Sequence, residues 1–158
     1  MDVLVTGYRI ERTNPSELSS ILSLLNDVDL PVEGVKDNIS NFLTLKDNFD
    51  DSNFEPWGCV GLEIYGNSAL LRSLAIAPEY QGRGLGTVLT EALIQDARER
   101  GIKTLFLLTE TAEDFFRRFG FRVVEREAVP KDVKTSIEFI KLCTETPAMM
   151  LEIQTARL

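Results

Sequence analysis

The sequence contains no histidine, only two cysteines and one tryptophan, and fewer basic than acidic residues. Without histidine there is no Ser–His or Cys–His nucleophile pair and no His-ligated zinc or haem. Cys59 and Cys143 form neither a disulfide framework nor a metal-ligand spacing, so no metal is expected and a reducing cytoplasm is the expected compartment. Seventeen Lys and Arg against 25 Asp and Glu leave a formal charge of −8. That balance argues against a nucleic-acid partner, which would need clustered Lys and Arg to neutralise phosphates. No apolar run approaches the ~18–20 residues of a membrane span. The opening Met1-Asp2-Val3-Leu4-Val5 lacks the basic-then-apolar order of a secretory signal.

What is present suits a globular chain. Its 158 residues are 44% apolar and 27% charged. A chain of this length buries about 70% of its unfolded surface, enough for one core, so a single domain over residues 1–158 is expected.

Patterning gives an alternating order of elements. Val3–Ile10 reads as a strand, and Asn14-Pro15-Ser16-Glu17 as a helix start with Asn as cap, Pro in the first turn and Glu three residues on. Leu18, Ile21, Leu22, Leu25 and Val28 then form one apolar stripe. A short helix is expected after Pro31, a strand at Phe42–Lys46 and an exposed loop at Asp47–Pro56. Trp57–Tyr65 and Ser68–Ala77 read as strands of a hairpin turning at Gly66-Asn67. In that register Glu63 and Arg72 are diagonal neighbours on one sheet face. Leu85–Arg100 is a helix ended by Gly101, Lys103–Thr109 a buried strand and Ala112–Phe119 a helix stopped by Gly120. Val123-Val124 and Met149–Ile153 read as closing strands, with a helix within Pro130–Cys143. The expectation is an α/β fold with a mixed sheet and helices on both faces.

The segment Leu74-Ala75-Ile76-Ala77-Pro78-Glu79-Tyr80-Gln81-Gly82-Arg83-Gly84-Leu85-Gly86-Thr87 carries the chemistry. Three alternate glycines at a helix start leave backbone N–H groups uncovered, an arrangement that cradles phosphate oxygens. It is not a P-loop, because no Lys-Ser/Thr ends it, nor a dinucleotide fingerprint, because Thr87 stands where the third glycine is required. The plain alternative is a tight strand–helix turn.

The pattern Q-x-x-G-x-G after an apolar strand, followed thirty residues on by A-E-D-F-F-R-R-F-G-F, resembles the GCN5-related N-acetyltransferase (GNAT) superfamily. The likeness is sharpest from Ala69 to Phe121 and extends over most of the element order. A narrower resemblance is to the GNAT proteins associated with arsenic resistance, which are akin to enzymes acetylating amino-acid toxins. It rests on the strings L-P-V-E-G-V from Leu30, V-G-L-E-I-Y-G from Val60, A-L-L-R-S-L-A-I-A-P from Ala69, L-L-T-E-T-A from Leu107 and S-I-E-F-I-K-L-C from Ser136.

The resemblance implies a mostly antiparallel sheet of six to seven strands with a splayed cleft, and acetyl-CoA as co-substrate. It implies that Leu74, Ala75 and Ile76 pair with the pantetheine arm, and that Gln81, Gly82, Arg83, Gly84, Leu85, Gly86 and Thr87 hold the pyrophosphate. Thr109 and Phe116 would line the same site, where the family often carries asparagine and a thiolate-protonating tyrosine. The implied reaction is attack of a neutral amine on the thioester, which needs a base for the ammonium proton. Glu63 is the candidate base, and Arg72 the candidate grip on a substrate carboxylate. Glu110, just past the strand, is a second-choice base or substrate contact and reads more readily as a solvated loop charge. Glu63 and Arg72 read equally well as an ion pair bracing the sheet. The Phe115, Phe116, Phe119 and Phe121 cluster reads as core, and the two thiols as inert rather than arsenic-binding.

The expected activity is N-acetylation of a small-molecule amine, with no membrane association. A homodimer is common in the superfamily, and no motif here marks one. Two alternatives stay open: a CoA-binding sensor without turnover, and a protein or peptide N-acetyltransferase.

Overall fold

The computed structural model describes residues 7–48, 55–141 and 146–153. Val3, Leu4, Val5, Leu142, Cys143 and residues 49–54 of the expected acidic loop lie outside them. The strands are β1 (Tyr8–Arg12), β2 (Phe42–Asp47), β3 (Gly58–Tyr65), β4 (Ser68–Ile76), β5 (Thr104–Leu108), β6 (Arg122–Val124) and β7 (Ala148–Glu152). The helices are α1 (Leu18–Asp27), α2 (Val35–Asn38), α3 (Leu85–Glu99), α4 (Glu113–Arg117) and α5 (Ile137–Lys141). The seven strands pair in the order β1-β2-β3-β4-β5-β7-β6. The β4–β5 pair is parallel, while β1–β2, β2–β3, β5–β7 and β6–β7 are antiparallel. This is the mixed, mostly antiparallel α/β sheet the sequence implies.

The chain packs as two compact units, one of residues 1–61 and 73–93, the other of residues 62–72 and 94–158. In the first, Asn14 and Glu17 close a capping box. The Asn14 side chain accepts from Ser16 N at 2.9 Å, and Glu17 Oε1 accepts from Asn14 N at 2.8 Å. The other Glu17 oxygen meets Lys46 Nζ at 2.6 Å, tying the helix start to β2. The α1 stripe buries Ile21, Leu24 and Leu25 in a cluster with Val35, Ile39, Phe42, Cys59, Ala75 and Ala77. Phe42 stands opposite Gly61 across β2 and β3, and a Cβ on Gly61 would lie 2.2 Å from its ring. Glycine is required there because the ring fills the space.

In the second unit, Leu70, Phe106, Val129, Val133, Phe139 and Ala148 form a separate core cluster, with Tyr65 packed against it. The β4–β5 ladder runs from Ser68↔Thr104 to Leu70↔Phe106.

Several boundaries differ from expectation by a residue or two, and three differences have a visible local cause. The first strand runs on to Arg12, because its ladder with β2 extends from Tyr8↔Asp47 to Arg12↔Leu43. The helix expected across Pro130–Cys143 is divided into a 3-10 turn at Val133–Thr135 and α5. Ser136 makes the break: its backbone is extended at ψ 139°, and its hydroxyl accepts from Glu138 N at 3.2 Å. The strand expected to reach Ala77 ends at Ile76, where Ala77 N turns to Trp57 O at 2.8 Å.

Candidate functional site

The glycine-rich segment lies in the first unit, where β4 ends and α3 begins. Gly82 and Gly84 both have φ +79°, a conformation that L side chains rarely adopt, and a Cβ at either position would point into open space. The loop is therefore open on the side the glycines face. Val88 N–H closes the first α3 bond, onto Gly84 O at 3.3 Å. The amides of Leu85, Gly86 and Thr87 come too early in the helix to find a carbonyl one turn back. Together with the helix dipole, they suit an anionic ligand.

The flanks of this loop are braced. Gln81 Nε2 donates to Ile76 O at 2.9 Å, and Arg83 Nη2 donates to Glu79 O at 3.2 Å. The Arg83 guanidinium lies 5.3 Å from the Tyr80 ring centre, and Tyr80 stacks on Trp57 at 4.3 Å. Arg83 stays exposed, so its charge faces solvent beside the open amides. These residues fit a pyrophosphate group. Just upstream, Ser73 has φ +61°, strained for a non-glycine residue, and its carbonyl accepts from Cys59 Sγ at 3.3 Å. Leu74, Ala75 and Ile76 follow this irregularity, and Ala75 is buried.

The second unit holds a buried ionic cluster. Arg72 Nη1 donates to Glu63 Oε2 at 2.6 Å, with the two side chains 0% and 3% exposed. The Tyr65 hydroxyl donates to Glu63 Oε1 at 2.5 Å. Arg72 Nη2 lies 3.3 Å from Glu138 Oε1, on α5. Burial pushes the Tyr65 phenol up to about 12, helped by the adjoining Glu63 carboxylate and opposed by the Ser136 hydroxyl and the Arg72 charge.

The structure thus brings Glu63 and Arg72 together, as the diagonal pairing requires. Arg72, however, is fully sheltered and holds two carboxylates, which sets it beside Glu63 rather than open to a substrate carboxylate. Glu110 is exposed and accepts from the Thr146 hydroxyl at 3.3 Å. Thr109 Oγ1 accepts from Ala112 N at 3.0 Å, bracing the turn into α4. Phe116 is buried edge-to-face with Phe115 at 5.0 Å and Phe121 at 5.7 Å, so the ring serves as core.

Tyr65 and Glu138 are the two members of the cluster that the sequence reading did not pick out. Tyr65 was within reach, since residues two apart on a strand share a face. Glu138 carried no comparable signal, because its contact depends on where α5 folds back.

A family model described as Acetyltransferase (GNAT) domain matches residues 39–123, more than half of the chain. The chain belongs to the GNAT acetyltransferase family. The match includes the glycine loop, Glu63 and Arg72. Among relatives, an uncharacterized N-acetyltransferase of Chlorobaculum tepidum is 28% identical over 120 residues, 75% of this chain and 70% of the relative. An amino-acid acetyltransferase of Mannheimia succiniciproducens is 36% identical over 76 residues, 47% of this chain but only 17% of the relative.

Solved structures share the fold at low identity. N-acetylglutamate synthase from Neisseria gonorrhoeae, complexed with coenzyme A and N-acetyl-glutamate, superposes with TM-score 0.78 at 20% identity, covering 93% of this chain and 35% of the synthase chain. The Escherichia coli ribosomal-protein-S18-alanine N-acetyltransferase superposes with TM-score 0.69 at 20% identity, covering 95% and 96% of the two chains. This GNAT protein is an acetyltransferase by family. Among its described residues no group of His, Cys, Asp or Glu could hold a metal, and no helix is long and apolar enough to cross a membrane.

Proposed function

We propose that this GNAT protein transfers the acetyl group of acetyl-CoA to the amine of a small molecule, with an amino acid or amino-acid-like toxin as the acceptor class. The observation that carries the cofactor reading is the pair of open, positive-φ glycines ahead of α3, flanked by exposed Arg83. Backbone amides of Gly82 to Thr87 would hold the pyrophosphate, and Leu74 to Ile76 would run beside the pantetheine arm. Acetyl-CoA supplies the activated thioester.

In this reading Glu63 takes the proton of the acceptor ammonium through an intervening water. The amine nitrogen then forms the C–N bond as the C–S bond breaks, the electron pair leaves on the CoA sulfur, and the second proton shed by nitrogen passes through solvent to that thiolate. Phe116 offers no proton to that thiolate. A thiol pKa near ~8.5 makes the thiolate a tolerable leaving group without one. Arg72 Nη1 holds the Glu63 carboxylate in position from 2.6 Å. The acceptor class draws support from the amino-acid acetyltransferase relative and from the word-strings shared with arsenic-resistance-associated GNAT proteins. Those strings and the two-cysteine composition also support a cytoplasmic setting.

Thiol-release assays with acetyl-CoA and a panel of amino acids, non-acid amines and short peptides test this. Turnover with amino acids, lost in Glu63→Gln by roughly 10²–10⁴-fold, is the expected result. A second reading, a CoA-binding module without turnover, is favoured by Phe116 and the sheltered Glu63–Arg72 pair. It predicts no thiol release with any acceptor. Turnover with peptides alone would overturn the small-molecule reading in favour of a protein substrate, as in the S18-alanine enzyme.

A further inference from the structure

Arg83 is exposed, yet its guanidinium is held in place. Nη2 donates to Glu79 O at 3.2 Å, and the group lies 5.3 Å from the centre of the Tyr80 ring, within the ~6 Å reach of a cation–π contact. A guanidinium carries five N–H donors, so one carbonyl leaves most of them for a ligand. Among the described residues Arg83 has no carboxylate partner, although the chain has an excess of acidic side chains. The Tyr80 ring is itself held. It stacks on Trp57 with centres 4.3 Å apart and planes at 17°, and it packs against the core cluster that contains Ile21 and Phe42. Trp57 is pinned through its backbone on both sides. Its N–H donates to Leu45 O on β2, and its carbonyl accepts from Ala77 N, each at 2.8 Å. A packed column thus runs from Trp57 through Tyr80 to a cation between the two open glycines, all within the first unit. An exposed arginine loses rotamer freedom when it grips an anion, and one already held loses less.

We propose that Tyr80 and Trp57 are positioning residues for the cofactor, which hold the Arg83 guanidinium ready for a phosphate of acetyl-CoA. This rests on the acetyl-CoA reading of the glycine loop. Phosphate is the chemistry the guanidinium fork suits, since paired N–H groups match two oxygens of one group. CoA offers two sources, the pyrophosphate and the 3′-phosphate of its ribose. Both rings act through Arg83, and neither supplies a donor to the phosphate.

The test is calorimetric titration with acetyl-CoA, which needs no acceptor. It compares the wild type with Tyr80→Leu, Tyr80→Phe, Arg83→Gln and the double variant of Tyr80→Leu with Arg83→Gln. Tyr80→Leu removes the ring and should weaken binding about 2–5-fold, the worth of an exposed cation–π contact. Tyr80→Phe keeps the ring and should bind as tightly as the wild type. Once Arg83 is replaced by Gln, Tyr80→Leu should add nothing, because the ring acts only through the guanidinium. If Tyr80→Leu does not fold, Trp57→Leu, at the half-buried end of the column, takes its place with the same expected pattern. Repeating the set with acetyl-dephospho-CoA names the phosphate. A ring-dependent loss that persists assigns Arg83 to the pyrophosphate, and one that vanishes assigns it to the 3′-phosphate. Losses that add in the double variant, a Tyr80→Phe protein as weak as Tyr80→Leu, or full binding by Arg83→Gln each overturn the proposal and leave the cofactor reading standing. A wild type that does not bind acetyl-CoA overturns both.

Discussion

Arg72 meets Glu63 at 2.6 Å with both side chains shielded from solvent, on adjacent strands β4 and β3. The diagonal placement follows from a two-residue turn at Gly66-Asn67, where Gly66 has φ +63°. The hairpin geometry therefore sets the chemistry of the cluster, and Glu138 joins it from a distant part of the sequence.

Removing the guanidinium takes away the contact that Glu63 Oε2 and Glu138 Oε1 each make to it. Arg72→Met should destabilise the protein by about 3–5 kcal/mol, the usual cost of breaking a buried pair from one side. Urea unfolding near neutral pH measures the loss. Adding Glu63→Gln to the variant should return part of the loss.

Gly61→Ala should lose about 1–3 kcal/mol, the range for overpacking a filled core. Its Cβ would stand 2.2 Å from the buried Phe42 ring. Thermal melts of Gly61→Ala alone and paired with Phe42→Leu check the cause, since the smaller partner should relieve part of the penalty.

At the start of α1, Asn14→Ala removes one half of the capping box and should cost about 1 kcal/mol. Glu17→Ala removes the other half together with the Lys46 contact. It should cost at least as much, and the part due to Lys46 should shrink in high salt. Denaturant midpoints in low and high salt separate the two contributions.

Burial pushes the Cys59 thiol up from 9.0 to about 12. The unfolded thiol ionises first as pH rises, so the native state binds more protons between the two values and stability falls through that window. Tyr65, raised from 10.0 to about 12, adds to the same alkaline loss. In a Cys143→Ser background, unfolding at about pH 8 and about pH 10.5 should show the decline, and Cys59→Ala should lessen it. Native Cys59 should also resist alkylation that proceeds once urea is added.

Element order was legible because hydrophobic period and end signals agreed. Asn14 and Glu17, the Gly66-Asn67 turn and the α3 stripe of Leu85, Leu89, Leu93 and Ala97 all appear where their spacing puts them. The glycine loop was legible because positive φ at Gly82 and Gly84 is a local property of the chain. The ionic cluster was only half legible. Glu63 and Arg72 share a hairpin, so local register brings them together, whereas Glu138 arrives through the long-range packing of α5. The strained backbone at Ser73 left no mark in the sequence, because a serine does not signal positive φ.

The most direct test of the acetyltransferase account is calorimetric titration of the protein with acetyl-CoA, beside the Gly84→Glu variant. Residue 84 sits at φ +79° with open space before it. A glutamate there strains the turn and sets a carboxylate against the pyrophosphate. Micromolar binding by the wild type, abolished in a variant that remains folded by circular dichroism, is the predicted result. A wild type that does not bind acetyl-CoA would contradict the account and reduce the glycine loop to a turn between β4 and α3.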